Sequence, residues 1–136
     1  RIKRSEIAFS LVEVLELRAR PEQSLEWMRH VRYATARLAM NVGGLTHLDL
    51  SQNCLKDDGA SVLADELAEN DTLETLRLRH NGVTSDGADR LSLALALNET
   101  LTGFDISGNN IGARGAFAFA NALEKNATLT SFRAEW

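Results

Sequence analysis

The sequence repeats itself every 28 residues, and no other property of it constrains the fold as tightly. Asn53, Asn81 and Asn109 stand one period apart. So do Leu45, Leu73, Leu101 and Leu129, the glycines Gly59, Gly87 and Gly115, and the asparagines Asn70, Asn98 and Asn126. Independent columns that share one period without a slip mark a repeat array. In such an array each unit buries its apolar face against its neighbours.

Each unit has two halves. The first is L-x-x-L-x-L, as in Leu45/Leu48/Leu50, Leu73/Leu76/Leu78, Leu101/Phe104/Ile106 and Leu129/Phe132/Ala134. Its closing alternation predicts a short strand with one buried face. An asparagine follows three residues later, then one apolar residue (Leu55, Val83 or Ile111) and a turn. The second half switches to helical spacing. Ala60, Leu63, Ala64 and Leu67 fall at i, i+3, i+4 and i+7, as do Ala88, Leu91, Ser92 and Leu95, and Ala116, Phe119, Ala120 and Leu123. That spacing predicts one apolar helix face per repeat. Each helix closes on asparagine, which tolerates the left-handed conformation of a C-terminal cap. Parallel strands then line one side of the stack and helices the other. Helices are wider than strands, so the stack curves with the strands inside.

The pattern L-x-x-L-x-L-x-x-N, followed by a helix ending L-x-x-N-x-x-L, resembles the ribonuclease-inhibitor-like class of leucine-rich repeats. That class takes in ribonuclease inhibitor, the Ran GTPase-activating protein, the repeats of NOD-like receptors and tropomodulin. The resemblance covers residues 45–136. It implies an α/β, right-handed solenoid with strands on the concave face and helices on the convex face. It also implies a non-enzymatic scaffold whose partner is another protein.

Residues 45–136 read as three full repeats plus the strand of a fourth, and 1–44 as an atypical N-terminal capping repeat or helix. Val12, Leu15 and Leu17 fit the strand template, but Val12 lies 33 residues before Leu45 and Arg20 occupies the asparagine slot. The other reading of this stretch is a helix from Ser5 to Ala19, stopped by Pro21. A helix from Glu22 to about Met40 fits both. The chain lacks an initiator Met and stops at Trp136, so a piece of a longer protein or larger assembly is expected.

Composition removes several functions. A net charge of −4 argues against a dedicated nucleic-acid or anionic-membrane binder, since both need a concentrated basic surface. The single cysteine, Cys54, cannot build a disulfide framework or a four-cysteine zinc site, and it is expected to be buried. No apolar run approaches the ~20 residues that span a bilayer. A cytoplasmic location follows as the expectation. No phosphate loop, nucleophile elbow or paired acid and base is present, so no catalytic residue, cofactor, metal or small-molecule substrate is expected.

The remaining motifs have structural readings. The ladder Asn53, Asn81 and Asn109 satisfies backbone groups in stacked loops. Asp57 and Asp58, just before a helix, read as N-terminal capping and dipole residues. The N-x-T sequons at Asn70, Asn98 and Asn126 share one column and read as repeat consensus rather than glycosylation sites.

The outward strand positions carry the functional expectation. One column reads Glu16, Asp49, Arg77, Asp105, Arg133, and the next Arg18, Ser51, Arg79, Ser107, Glu135. Strands ~4.8 Å apart would let the alternating charges of the first column pair along the ladder. The same pattern suits recognition of a charge-complementary protein. The candidate partner-binding residues are His47, Asp49, Arg77, Arg79, Asp105 and Arg133. Two other functions remain open. Leu123–Leu129 looks like the closing repeat of tropomodulin, which implies an actin-capping or ciliary scaffold. A GTPase activator resembling the Ran activator would use Arg77 or Arg79.

Overall fold

A computed structural model describes residues 6–8 and 44–135. Among the described residues, five parallel strands form one sheet in chain order: β1 (Glu6–Ala8), β2 (His47–Asp49), β3 (Thr75–Arg77), β4 (Gly103–Asp105) and β5 (Ser131–Arg133). Helices α1 (Lys56–Glu69), α2 (Ser85–Leu97) and α3 (Gly112–Lys125) connect β2 through β5, and α2 packs between α1 and α3. The chain is an α/β leucine-rich-repeat solenoid. The strand expected at 12–17 and the helix expected at 22–40 lie outside the described residues. A helix beginning at Ser5 does not fit the strand at Glu6–Ala8.

The register follows the sequence period. Leu48, Leu76, Phe104 and Phe132 pair in one row, with Asp49, Arg77, Asp105 and Arg133 in the next. β1 joins with Ile7 opposite Leu48, off the 28-residue period. The backbone ladder runs past the formal strand ends: Leu50 N–H donates to Arg77 O at 2.9 Å, and Gln52 N–H to Arg79 O at 2.8 Å. The core is a continuous strip of the repeated leucines with Ala60, Ala64 and Ala88, closed by Phe104 and Phe119. Phe104, Phe119 and Phe132 form a ring cluster with centroids 5.2–6.0 Å apart, which fixes β5 to the stack. Gly115 lets α3 come close: a Cβ there would lie 2.8 Å from Ile111 Cβ and 2.9 Å from Ala88 Cβ.

The helix faces agree with the periodicity in α1 and α2, where all the expected positions are buried. In α3, Ala116 and Ala120 are exposed and Leu123 is only half-buried. Their column normally faces the next helix of the stack, and among the described residues none lies beyond α3.

The helix-closing asparagines depart from expectation. Asn70, Asn98 and Asn126 have φ of −72, −72 and −82° with ψ near 130°, which is extended rather than left-handed. Each Oδ1 accepts from the N–H groups two and three residues on, as Asn98 does from Thr100 at 3.0 Å and Leu101 at 2.7 Å. Asn98 Nδ2 reaches back to Leu67 O (2.8 Å) and Asn70 O (3.1 Å), and Asn126 Nδ2 to Leu95 O (2.7 Å) and Asn98 O (3.1 Å). Leu67 and Leu95 lie in the last turns of the preceding helices, where carbonyls lack intrahelical partners. This is a second asparagine ladder, and at Asn98 and Asn126 it engages the amide nitrogen that a sequon would offer.

Candidate protein-binding face

The first ladder fixes the loops that follow the strands. Asn53 and Asn81 are fully buried and Asn109 nearly so. Asn81 Oδ1 accepts from Asn53 N–H (2.9 Å) and Leu55 N–H (3.4 Å), while its Nδ2 donates to Leu50 O at 2.9 Å. Asn109 repeats the pattern one step on, toward Asn81 N–H, Val83 N–H and Leu78 O. Each amide therefore serves the backbone of the preceding repeat. Among the described residues nothing accepts from the N–H of Asn109 or of Ile111, the positions that the next amide in the series would serve.

Asp57 also acts across a repeat boundary rather than on its own helix. α1 has no side-chain cap. Instead Asp57 Oδ1 accepts from Thr84 N–H (2.7 Å) and Gly87 N–H (3.0 Å), and Oδ2 from Thr84 Oγ1 (2.6 Å). The Thr84 and Gly87 N–H groups open α2, so a carboxylate from the previous repeat does the work of its N-cap. Cys54 is exposed, not buried, with φ of +54°. It shares a column with Gly82, whose φ is +71°.

On the concave side the strands bring the predicted residues into two rows. His47, Thr75, Gly103 and Ser131 form one, and Asp49, Arg77, Asp105 and Arg133 the other. Arg79 follows one step beyond Arg77 on the same face. His47 is half-buried at the start of β2, with Nδ1 2.8 Å from Thr46 Oγ1.

The charges do not pair simply along the ladder. Arg77 lies 3.9 Å from Asp49, but Asp105 turns to Arg79 at 3.8 Å rather than to Arg133. Both separations exceed hydrogen-bond reach, so the guanidinium donors stay available. The acids are also the sunken members. The side chains of Arg77 and Arg79 are 60% and 48% exposed, against 35% for Asp49 and 11% for Asp105. Asp105 is held down by its Oδ1, which accepts from Ser107 N–H at 3.0 Å, and Asp49 makes the same contact with Ser51 N–H at 2.9 Å. A sign-alternating column in sequence thus presents projecting cations over recessed anions. Arg133 is exposed and has no acidic partner among the described residues.

The convex side is different. Arg114 bonds Asp86 at 2.5 Å and Asp89 at 2.6 and 3.0 Å, and Arg90 meets Asp65 at 3.4 Å. The Asp89 and Asp86 hydrogen bonds push the Arg114 pKa above its ordinary value. These arginines brace neighbouring helices and have their partners in place. Among the described residues there is no group of three or more His, Cys, Asp or Glu able to hold a metal, and no helix long and apolar enough to cross a membrane.

A sheet of short parallel strands, one helix per repeat and a buried asparagine ladder define the leucine-rich-repeat class. The Leucine Rich repeat family model matches residues 45–64, 69–92 and 97–120, half of the chain, and the protein belongs to that family. Comparison with curated proteins gives no match. Among the solved structures similar to the chain are two with TM-scores of 0.70 or more. One is described as Leiomodin-1 Actin-Binding Site 2, with a TM-score of 0.70 at 23% identity over 79% of this chain. The other is a tropomodulin C-terminal domain from Caenorhabditis elegans, with a TM-score of 0.75 at 15% identity over 97% of this chain. This chain spans 64% of the length of the leiomodin structure and 74% of the tropomodulin one. At these identities the likeness is one of fold.

Proposed function

We infer that this protein is a non-catalytic protein-binding module that engages its partner through the concave face, as part of a larger assembly. The observation that carries this reading is the disposition of charge on that face. Arg77, Arg79 and Arg133 project from a rigid sheet while Asp49 and Asp105 are tied below them. Protruding guanidiniums favour a partner of opposite sign and disfavour one of like sign. His47 extends the surface toward β2. The ladder Asn53, Asn81 and Asn109 has a structural role in this account and does not touch the partner. A reducing, cytoplasmic setting accords with one exposed cysteine and no disulfide.

The test is affinity capture from a lysate of the cells the protein comes from, comparing the parent with an Arg77→Glu/Arg79→Glu variant by mass spectrometry. A protein recovered by the parent and lost with the variant supports the concave interface. Equal recovery by both refutes it. A second reading, actin binding, is favoured by the fold likeness to an actin-binding site of leiomodin. Elongation of actin filaments with and without the protein tests it, and unchanged elongation at both filament ends removes it.

A further inference from the structure

Among the described residues, the side-chain carpet of the concave sheet is broken at β4. In the row His47, Thr75, Gly103, Ser131, the third residue has no side chain. A depression of about 250 Å³ opens over Gly103. Thr75 and Ser131 wall it along the row, and Arg77, Asp105 and Arg133 close one end. A depression this small and open to solvent suits a side chain of a bound polypeptide better than an enclosed small molecule.

The lining selects the chemistry. Thr75 turns its methyl toward Gly103, with Cγ2 3.0 Å from where a Cβ would stand, and Ser131 lies across the row. Arg77 and Arg133 stand on strands two apart, ~10 Å from one another, with Asp105 between them. Asp105 is buried, its Oδ1 accepts from Ser107 N–H, and its Oδ2 faces Arg79 on the side away from the depression. Its charge is therefore answered from that side. Arg133 has no acidic partner among the described residues, and Arg77 approaches Asp49 without a hydrogen bond. Two guanidiniums with donors to offer over a floor of backbone suit a carboxylate, which accepts bidentate hydrogen bonds from them.

We propose that the depression over Gly103 is a seat for a glutamate or aspartate side chain of the partner, and that the partner segment crossing β3–β5 is acidic. This rests on the concave face being the interface and names the chemistry that the face reads. Gly103 is the specificity-determining position. Its φ is not left-handed, so a side chain there is tolerated by the backbone, yet a Cβ would lie 3.0 Å from Thr75 Cγ2 and begin to fill the seat.

The experiment titrates fluorescein-labelled (Glu-Gly)6, (Gln-Gly)6 and (Lys-Gly)6 peptides into the full chain, read by anisotropy and by amide chemical shifts. The expected result is saturable binding of the glutamate peptide alone, with shifts centred on Gly103 and Ser131. Gly103→Ser and the exposed substitution Arg133→Gln should each weaken it about tenfold, with Arg90→Gln on the convex face neutral. Equal loss with Arg90→Gln, or no change with Gly103→Ser and Arg133→Gln, overturns the seat. Both variants are also carried through the lysate capture. A partner lost with Arg77→Glu/Arg79→Glu but held normally by Gly103→Ser and Arg133→Gln leaves the interface standing and removes the seat. A partner held by all of them removes the interface itself.

Discussion

Replacing Asn81 by alanine should cost more stability than any exposed substitution in the chain, and the structure says how much. Two buried donors lose their acceptor: Asn53 N–H, now 2.9 Å from Asn81 Oδ1, and Leu55 N–H, at 3.4 Å. The carbonyls on the other side of the amide keep partners. Leu50 O still receives Asn53 Nδ2 at 2.8 Å, and Arg79 O still receives Gln52 N–H at 2.8 Å. The cost is therefore that of two orphaned N–H groups at about 1–3 kcal/mol each, and the longer bond counts at the low end, giving about 3 kcal/mol. With an m value of about 1.5 kcal/mol per M, the urea midpoint falls by about 2 M. Asn110→Ala, at an exposed position one residue past the next ladder asparagine, should stay within about 0.5 kcal/mol of the parent. Amide exchange gives the site-specific readout, because Asn53 and Leu55 should lose protection before the strand amides do. An Asn81→Ala midpoint within about 0.3 M of the parent would refute the ladder energetics.

Three further outcomes follow from contacts between repeats. Asp57→Ala removes the acceptor at the start of α2, so it should destabilise by about 1–2 kcal/mol in thermal or urea unfolding. A neutral result would mean that α2 needs no cap. Cys54→Gly relieves a left-handed backbone and should raise stability by about 0.5–1 kcal/mol, whereas a loss would show that the thiol packs against something. Appending a copy of residues 109–136 after Trp136 places an asparagine one period beyond Asn109, where its side chain can accept from Asn109 and Ile111 N–H and its helix can cover Ala116 and Ala120. That chain should unfold at a higher midpoint than the parent, and alanine in place of the new asparagine should cancel part of the gain. An unchanged midpoint would show that this end of the stack needs no neighbour.

What could be read in advance was whatever belongs to a single repeat. The strand leucines, the helix faces of α1 and α2 and the row positions of Asp49, Arg77, Asp105 and Arg133 all follow from periods of two, 3.6 and 28. What escaped was settled between repeats. Asn70, Asn98 and Asn126 looked like left-handed caps because that is what an isolated helix would use. Stacking instead gives their amides the carbonyls of the preceding helix. Asp57 looked like a cap for α1, but its carboxylate reaches the start of α2, an approach visible only in three dimensions. The concave column alternates in sign, yet diagonal pairing of Asp105 with Arg79 and the bonds to Ser51 and Ser107 N–H sink the acids. Gly103 carried a signal that went unread: it is the row position where its neighbours have His47, Thr75 and Ser131.

The central claim is that binding resides on the concave arginines and not on the convex ones. Its direct test is the affinity of the captured partner for the parent, for Arg77→Glu/Arg79→Glu and for Arg90→Glu/Arg114→Glu, with the unfolding midpoint of each recorded alongside. The account predicts a loss of tenfold or more, about 1.4 kcal/mol, for the concave pair and little change for the convex pair. Both variants break ion pairs, the concave one to Asp49 and Asp105 and the convex one to Asp65, Asp86 and Asp89, so affinities are compared under conditions where each variant is folded. Equal affinity of the parent and the concave variant, or a loss confined to the convex variant at unchanged fold, would contradict it.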